Sequence, residues 1–239
     1  MRKTLIYTVS LILFISIMGC NKATNVLLVV GGHSFDTTEY FDIFRNLDGI
    51  RFDSISYPAA REFLQSDQVM DYDVIVYYDF IPDMAMKDSS IFLHLSKTGK
   101  SMLFLHHALA TFQKWEGYKK MVGGRYMMPE FTTDSTLLSD YKHDIDMVVE
   151  VVDHDHPVTH GISEFTIHDE GYSNLSIVEG VIPLLRTDHP DCSSLVAWVH
   201  EYNASTTAYL IFGHDKLAYE NKSFQQLLFN AINWLADKD

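Results

Sequence analysis

Val26-Leu-Leu-Val-Val30 is an unbroken apolar run that ends in Gly31-Gly32-His33. A strand covered on both faces reads this way, and such strands belong to parallel sheets. Thr37 to Leu47 changes period: Tyr40, Phe41, Phe44 and Leu47 share one face of a helix. Phe52 to Tyr57 alternates as a second strand. Asp73-Val-Ile-Val-Tyr-Tyr78 is a third, continuous strand, followed by a loop from Asp79 to Asp83. Ser89 to Lys97 reads as a helix stopped by Gly99, and Met102 to Leu105 as the fourth strand. This β-α-β alternation predicts an open, doubly wound α/β sheet.

The second half is less regular. Trp115 to Met121 has helical character and stops at Gly123-Gly124. Ile145 to Val152, Phe165 to Ile167 and Ile182 to Leu185 read as strands. Leu195 to Glu201 and Thr207 to Phe212 read as a strand pair around Asn203-Ala-Ser205. Ser223 to Ala236 closes the chain as an amphipathic helix, with Phe224, Leu227, Leu228, Ala231, Ile232 and Leu235 as its stripe. There is no internal repeat and no long linker, so residues 25–239 are expected to form one domain.

The amino terminus stands apart. Met1-Arg-Lys is a short basic segment, and Leu5 to Met18 is an apolar run of signal-peptide length, short for a membrane span. It ends in Ile17-Met-Gly-Cys20, which resembles the lipobox of bacterial lipoproteins. Residues 1–19 are then a cleaved signal, Cys20 is lipidated, and residues 20–24 are a tether. The expected location is a bacterial membrane, on the periplasmic or outer-membrane face, with the lipid as the sole membrane contact. Cys192 is the other cysteine, in the loop His189-Pro-Asp-Cys-Ser-Ser194 with nothing to activate it. Composition narrows the partners further. The 239-residue chain is 47% hydrophobic and carries a formal charge of -14. Cleavage after Gly19 leaves 16 basic against 32 acidic residues. A surface this acidic repels phosphate backbones, so nucleic acid is excluded as a partner. A homo-oligomer is left open.

Chemistry-bearing side chains follow the strands. His33 follows Gly31-Gly32, which has neither the third glycine of a dinucleotide loop nor the lysine of a P-loop, so no nucleotide cofactor is expected. His106-His107 ends the fourth strand. Adjacent residues there point different ways, and His106 is favoured as the inward one. His154-Asp-His156-Pro157 has ligand spacing but reads as an exposed turn. His168-Asp169-Glu170-Gly-Tyr172 follows a short strand and offers a carboxylate and a phenol. Gly213-His214-Asp215 follows the last strand and offers an imidazole beside a carboxylate. In a parallel sheet such strand ends converge on one crevice. His106, His107, Glu170 and His214 are the expected catalytic set. His33, Asp169, Tyr172, Asp215, Trp115 and Tyr126 are the expected substrate contacts. His33, His106 and His214 are candidate ligands of a divalent metal such as zinc.

A set of motifs spans nearly the whole chain in order: Gly32-His33, Asp71-Tyr-Asp-Val-Ile-Val76, Gly99 with Leu105-His106, and Tyr118 with Gly123-Gly124. His156-Pro-Val-Thr-His-Gly161, Asp169-Glu-Gly-Tyr172, Ala197-Trp198, Gly213-His-Asp215 and Asn230-Ala-Ile-Asn-Trp234 continue it. Together they resemble the trehalose-utilisation (ThuA-like) family. The resemblance implies a flavodoxin-like, mostly parallel sheet with helices on both faces, related to class I glutamine amidotransferases. In those enzymes the strand-to-helix elbow bears a catalytic cysteine. His106-His107 stands there in this chain, so glutaminase chemistry is not expected. The resemblance also implies catabolism of disaccharides through 3-keto sugars. One departure is Glu201-Tyr-Asn-Ala-Ser-Thr206, where the family has a glycine-and-arginine turn.

The residue types suit that chemistry. A 3-keto sugar has an acidified C2 proton, which His106 or His214 would remove. Glu170 would act as acid or orienter, and His33 would polarise the ketone directly or through the metal. Two readings compete with this one: a lipid-anchored carbohydrate-binding protein without catalysis, and a metal-dependent hydrolase of another substrate.

Overall fold

A computed structural model describes residues 23–238. The expected signal peptide and the lipidated Cys20 lie outside the described residues. Among the described residues, no helix is long and apolar enough to cross a membrane.

The strands are β1 (Thr24–Gly31), β2 (Ile50–Ser56), β3 (Val74–Asp79), β4 (Met102–Leu105), β5 (Gly124–Arg125) and β6 (Asp140–Val151). They continue with β7 (Phe165–Ser173), β8 (Ser176–Ile177), β9 (Ile182–Arg186), β10 (Leu195–Tyr202) and β11 (Ser205–Leu210). The helices are α1 (Thr37–Arg45), α2 (Ala59–Phe63), α3 (Ser89–Thr98), α4 (Glu116–Val122), α5 (Lys216–Glu220) and α6 (Lys222–Ala236).

Nine strands form one sheet in the order β2-β1-β3-β4-β11-β10-β9-β6-β7. β2, β1, β3, β4 and β11 are mutually parallel. Beyond β11 each neighbour is antiparallel, so β9 and β7 keep the common direction while β10 and β6 oppose it. The sheet is thus mostly parallel, as expected of this flavodoxin-like α/β fold. The continuous apolar runs became its fully covered strands: every residue of β3 and β4 is buried. The alternating run became β2, an edge strand with Arg51, Asp53, Ser54 and Ser56 exposed. Helices cover both faces. α1, α5 and α6 pack as one group, with α6 on β3, β4 and β11. α3 and α4 pack as the other, on β11 and β10.

Two sequence-based boundaries were displaced by more than two residues, both in the β6–β7 hairpin. β7 does not stop at Ile167 but runs through Ser173, and β6 begins at Asp140 instead of Ile145. Asp169, Glu170 and Tyr172 therefore lie within a strand, not in a loop after it. The polar stretch looks like a loop, but its backbone is satisfied by cross-strand pairing from Asp140↔Ser173 to Val149↔Phe165. A bulge between Lys142 and Ile145, with Asp144 in the left-handed region at φ 55°, bends β6 at this point. Although β7 is last in sheet order, the hairpin curls back over the centre. Phe165 meets Phe212 with ring centroids 5.8 Å apart, and Asp169 reaches the loop after β11.

Candidate active site

The carboxyl ends of β1, β4 and β11, together with the curled β6–β7 hairpin, enclose a cavity of about 320 Å³. That is at the small end of the range for small-molecule sites. Its walls are His33, Phe80, His106, His107, Ala110, Tyr126, Met128, Tyr141, His143, Glu170, Tyr172 and His214. Lysine and arginine are absent from this lining.

His106 sits at the elbow itself, with φ 48°. A non-glycine residue in the left-handed region costs about 1–3 kcal/mol and is retained where surrounding structure over-determines it. Here the Tyr209 hydroxyl donates to the His106 carbonyl at 3.0 Å, and Tyr118 donates to the Ala108 carbonyl at 2.9 Å. The His106 ring is fully buried, and its Nδ1 lies 2.6 Å from the Ile211 carbonyl oxygen. A carbonyl can only accept, so Nδ1 carries the hydrogen and Nε2 faces the cavity. Three groups meet that nitrogen: Tyr172 Oη at 2.9 Å, Glu170 Oε2 at 3.0 Å and His214 Nδ1 at 3.3 Å.

Glu170 joins the imidazoles. Its Oε2 faces His106 and, at 3.4 Å, His214, while its Oε1 faces His143 Nδ1 at 3.0 Å. Burial alone would raise the Glu170 carboxyl. The adjacent His106 and His214 imidazoles outweigh it and hold the group well below the usual carboxylate range. The Glu170 hydrogen bond in turn raises His214, against a smaller opposing effect of burial. Burial raises the Tyr172 phenol, reinforced by the Glu170 charge, so its hydroxyl stays protonated and able to donate.

His33 and His107 form a second pair. Their ring centroids are 3.7 Å apart, and His33 Nδ1 and Nε2 and His107 Nε2 are buried without a hydrogen-bond partner. Burial lowers His33 to about 4, assisted by the neighbouring His106 and His214. Burial also drives His107 well below its ordinary value. Both rings are neutral near pH 7, which suits them to polarise or hydrogen-bond an uncharged group.

The structure brings together His33, His106, His107, Glu170, Tyr172, His214 and Tyr126. Three expected contacts lie elsewhere. Asp169 is buried behind the cavity, and its oxygens accept from the backbone N–H groups of Glu170, Gly213 and His214 at 2.8–2.9 Å. It therefore positions Glu170 and His214 and does not touch a substrate. Asp215 caps α5 by accepting from Leu217 and Ala218. Trp115 packs on Phe92 and Phe112. The candidate metal trio also changes: the donor atoms that converge belong to His106, Glu170 and His214, and His33 is not among them. His143 and Tyr141 were missed because Asp140 to Asp144 reads as a polar loop. A period-two run of Tyr141, His143, Ile145, Met147 and Val149 marks a strand in the sequence, but the bulge before Ile145 shifts the register, so that Tyr141, opposite Tyr172, and His143 line the cavity while Ile145 pairs with Asp169 behind it. His154 and His156 stay outside the site, in the turn expected for them, where His156 Nδ1 accepts from Val158 N–H.

Among known proteins, the family model ThuA, described as trehalose utilisation, matches residues 25–235. The fold is similar to that of a ThuA-like protein from Parabacteroides merdae, at 16% identity and TM-score 0.74, covering 90% of each chain. It is also similar to a ThuA-like protein from Bacteroides uniformis, at 18% identity and TM-score 0.68, covering 89% of this chain and 91% of that one. A cytoplasmic protein of Salmonella typhimurium matches at 15% identity and TM-score 0.61, covering 87% of this chain and 98% of that one. No curated protein matches the chain.

Proposed function

The chain belongs to the ThuA family of trehalose utilisation, and from that premise we propose that it is a carbohydrate-processing enzyme whose substrate is a keto-sugar glycoside. The observation that carries this reading is the convergence of Tyr172, Glu170 and His214 on one nitrogen of His106. It combines a base, a carboxylate and a proton donor with two neutral imidazoles, His33 and His107, in a cavity without a fixed cation. An anionic substrate would find no counter-charge there, whereas an uncharged polyol finds donors, acceptors and the aromatic faces of Tyr126 and Phe80.

The steps follow from the roles. His214, oriented by Glu170, takes the C2 proton of a 3-keto glycoside, and the C2–H electrons pass into an enolate. His33 donates its N–H to the ketone oxygen as charge develops, as a neutral imidazole can. The electrons return to form C1=C2, the bond from C1 to the leaving oxygen breaks, and that oxygen takes a proton from Tyr172. Addition of water across C1=C2 then gives the free keto sugar. The net reaction is hydrolysis without a covalent sugar–enzyme bond.

The test is incubation of the purified protein in deuterated water with 3-keto-trehalose and with trehalose. Deuterium at C2 and release of the aglycone from the keto form are expected. Tight binding of unmodified trehalose, with neither exchange nor turnover of the keto form, would instead establish a carbohydrate-binding protein. The lipid anchor is part of the same proposal. Cys20→Ser should abolish incorporation of labelled fatty acid and release the protein from the membrane fraction.

A further inference from the structure

We infer that His106, Glu170 and His214 are built to hold one divalent transition-metal ion of the zinc class, with a fourth position open to the cavity. The three donor atoms already form a triangle of the required size. His106 Nε2, Glu170 Oε2 and His214 Nδ1 are separated by 3.0, 3.3 and 3.4 Å. A tetrahedral ion with ligand bonds of about 2.0–2.1 Å spaces its ligands roughly 3.3–3.4 Å apart. An ion so placed would stand just off the plane of the triangle.

Hydrogen-bond arithmetic leads to the same place. His106 spends its Nδ1 hydrogen on Ile211, so Nε2 of the neutral ring presents a lone pair. The Glu170 carboxylate presents another, and His214 turns Nδ1 to the same point. Without an ion, the His214 Nδ1–H bridges to Glu170 and the Tyr172 hydroxyl donates to His106 Nε2; a cation would displace the His214 proton and draw on all three donor atoms at once.

The surroundings are those of a metal site. The Nδ1–H bond fixes the ring and tautomer of His106, the second oxygen of Glu170 is held by His143, and Asp169 pins the backbone of both Glu170 and His214. Two imidazoles and a carboxylate with a vacant position form a donor set of the kind found in catalytic rather than structural zinc sites. The Tyr172 hydroxyl stands at 2.9 Å from Nε2, beside that position, ready to bond an oxygen bound there.

The experiment uses the purified full chain, stripped with chelator and titrated calorimetrically with Zn²⁺ alone. One ion per chain is expected, with a tetrahedral visible spectrum when Co²⁺ replaces zinc. Glu170→Gln and His214→Ala should each weaken Zn²⁺ binding by about 100-fold or more. His33→Ala and His168→Ala should bind as wild type. His168 tests the exposed cluster in which it faces Asp144 and Asp146. Failure of the intact chain to bind Zn²⁺, persistence of binding in Glu170→Gln and His214→Ala, or loss of binding in His168→Ala overturns the inference. If either ligand variant fails to fold, X-ray absorption of the Co²⁺-loaded wild type decides: two imidazoles around cobalt support the site, and fewer overturn it. No sugar enters these measurements. Ligation and the role of base are alternative uses of the His214 ring: a bound ion takes that ring out of the role of base, and a metal-free result removes the ion and leaves the proton-transfer reading to its own test.

Discussion

At the scale of single residues, the site depends on a few groups held in unusual states. His214 is the imidazole of the trio that reaches solvent, and Glu170 gives it its orientation. Alanine at His214 should lower turnover of a 3-keto glycoside by about 10²–10⁴-fold, read as initial rate at saturating substrate. Unchanged turnover would remove it from the mechanism. Two other groups make opposite contributions to stability. His33 is held at about 4 against an ordinary 6.5. The unfolded chain therefore binds its proton first, and the stability present above 6.5 is lost as the pH falls toward 4. Asp79 is fully buried at the end of β3. Burial raises it from 3.8 to about 7, opposed by hydrogen bonds, including that from Thr111. Its contribution is intact below 3.8 and is lost as the pH rises through about 7. Asp79→Asn should therefore raise the melting temperature more on the alkaline side of 7 than on the acidic side. His33→Phe should give the reverse, with its largest gain toward pH 4. Melting curves across that range check both signs.

At the scale of elements, the first half of the fold was legible because each covered strand is a continuous apolar run and each helix keeps its stripe. Val26 to Val30, Val74 to Tyr78 and Met102 to Leu105 needed nothing from distant chain to be recognised. The β6–β7 hairpin did need it. Asp140 to Asp144 and His168 to Ser173 carry loop-like side chains because Tyr141, His143, Glu170 and Tyr172 face a polar cavity while Asp140, Lys142 and Asp144 are exposed, and only pairing with each other makes these segments strands. For the same reason His33, His106, His107, Glu170 and His214 were legible as chemistry, while His143 was hidden and Asp169 was misassigned from contact to support. Cap geometry shows a similar dependence on distant residues. Gly123 ends α4 at φ 87°, and a Cβ there would stand 2.5 Å from Nε1 of Trp198, which donates to the Val122 carbonyl. Gly123→Ala should cost about 1–3 kcal/mol in chemical denaturation, without altering any residue of the cavity.

At the scale of the whole molecule, charge and site are decoupled. The chain carries a formal -14, yet Glu170 is the one carboxylate lining the cavity, and its partners are imidazoles. A neutral substrate should feel little of that field. kcat/KM should change by less than about twofold as salt rises to physiological strength and the Debye length shortens to about 8 Å. A steep salt dependence would point to a charged substrate. The curled hairpin has a further consequence. The site draws His33 from the start of the fold, His106 from its middle, Glu170 from the edge strand and His214 from near its end. A ribosome has made most of the polypeptide before the last of these emerges. Any product truncated ahead of position 214 holds buried histidines without the partner that completes them. Chains that end before position 214 are thus expected to be unable to assemble the trio.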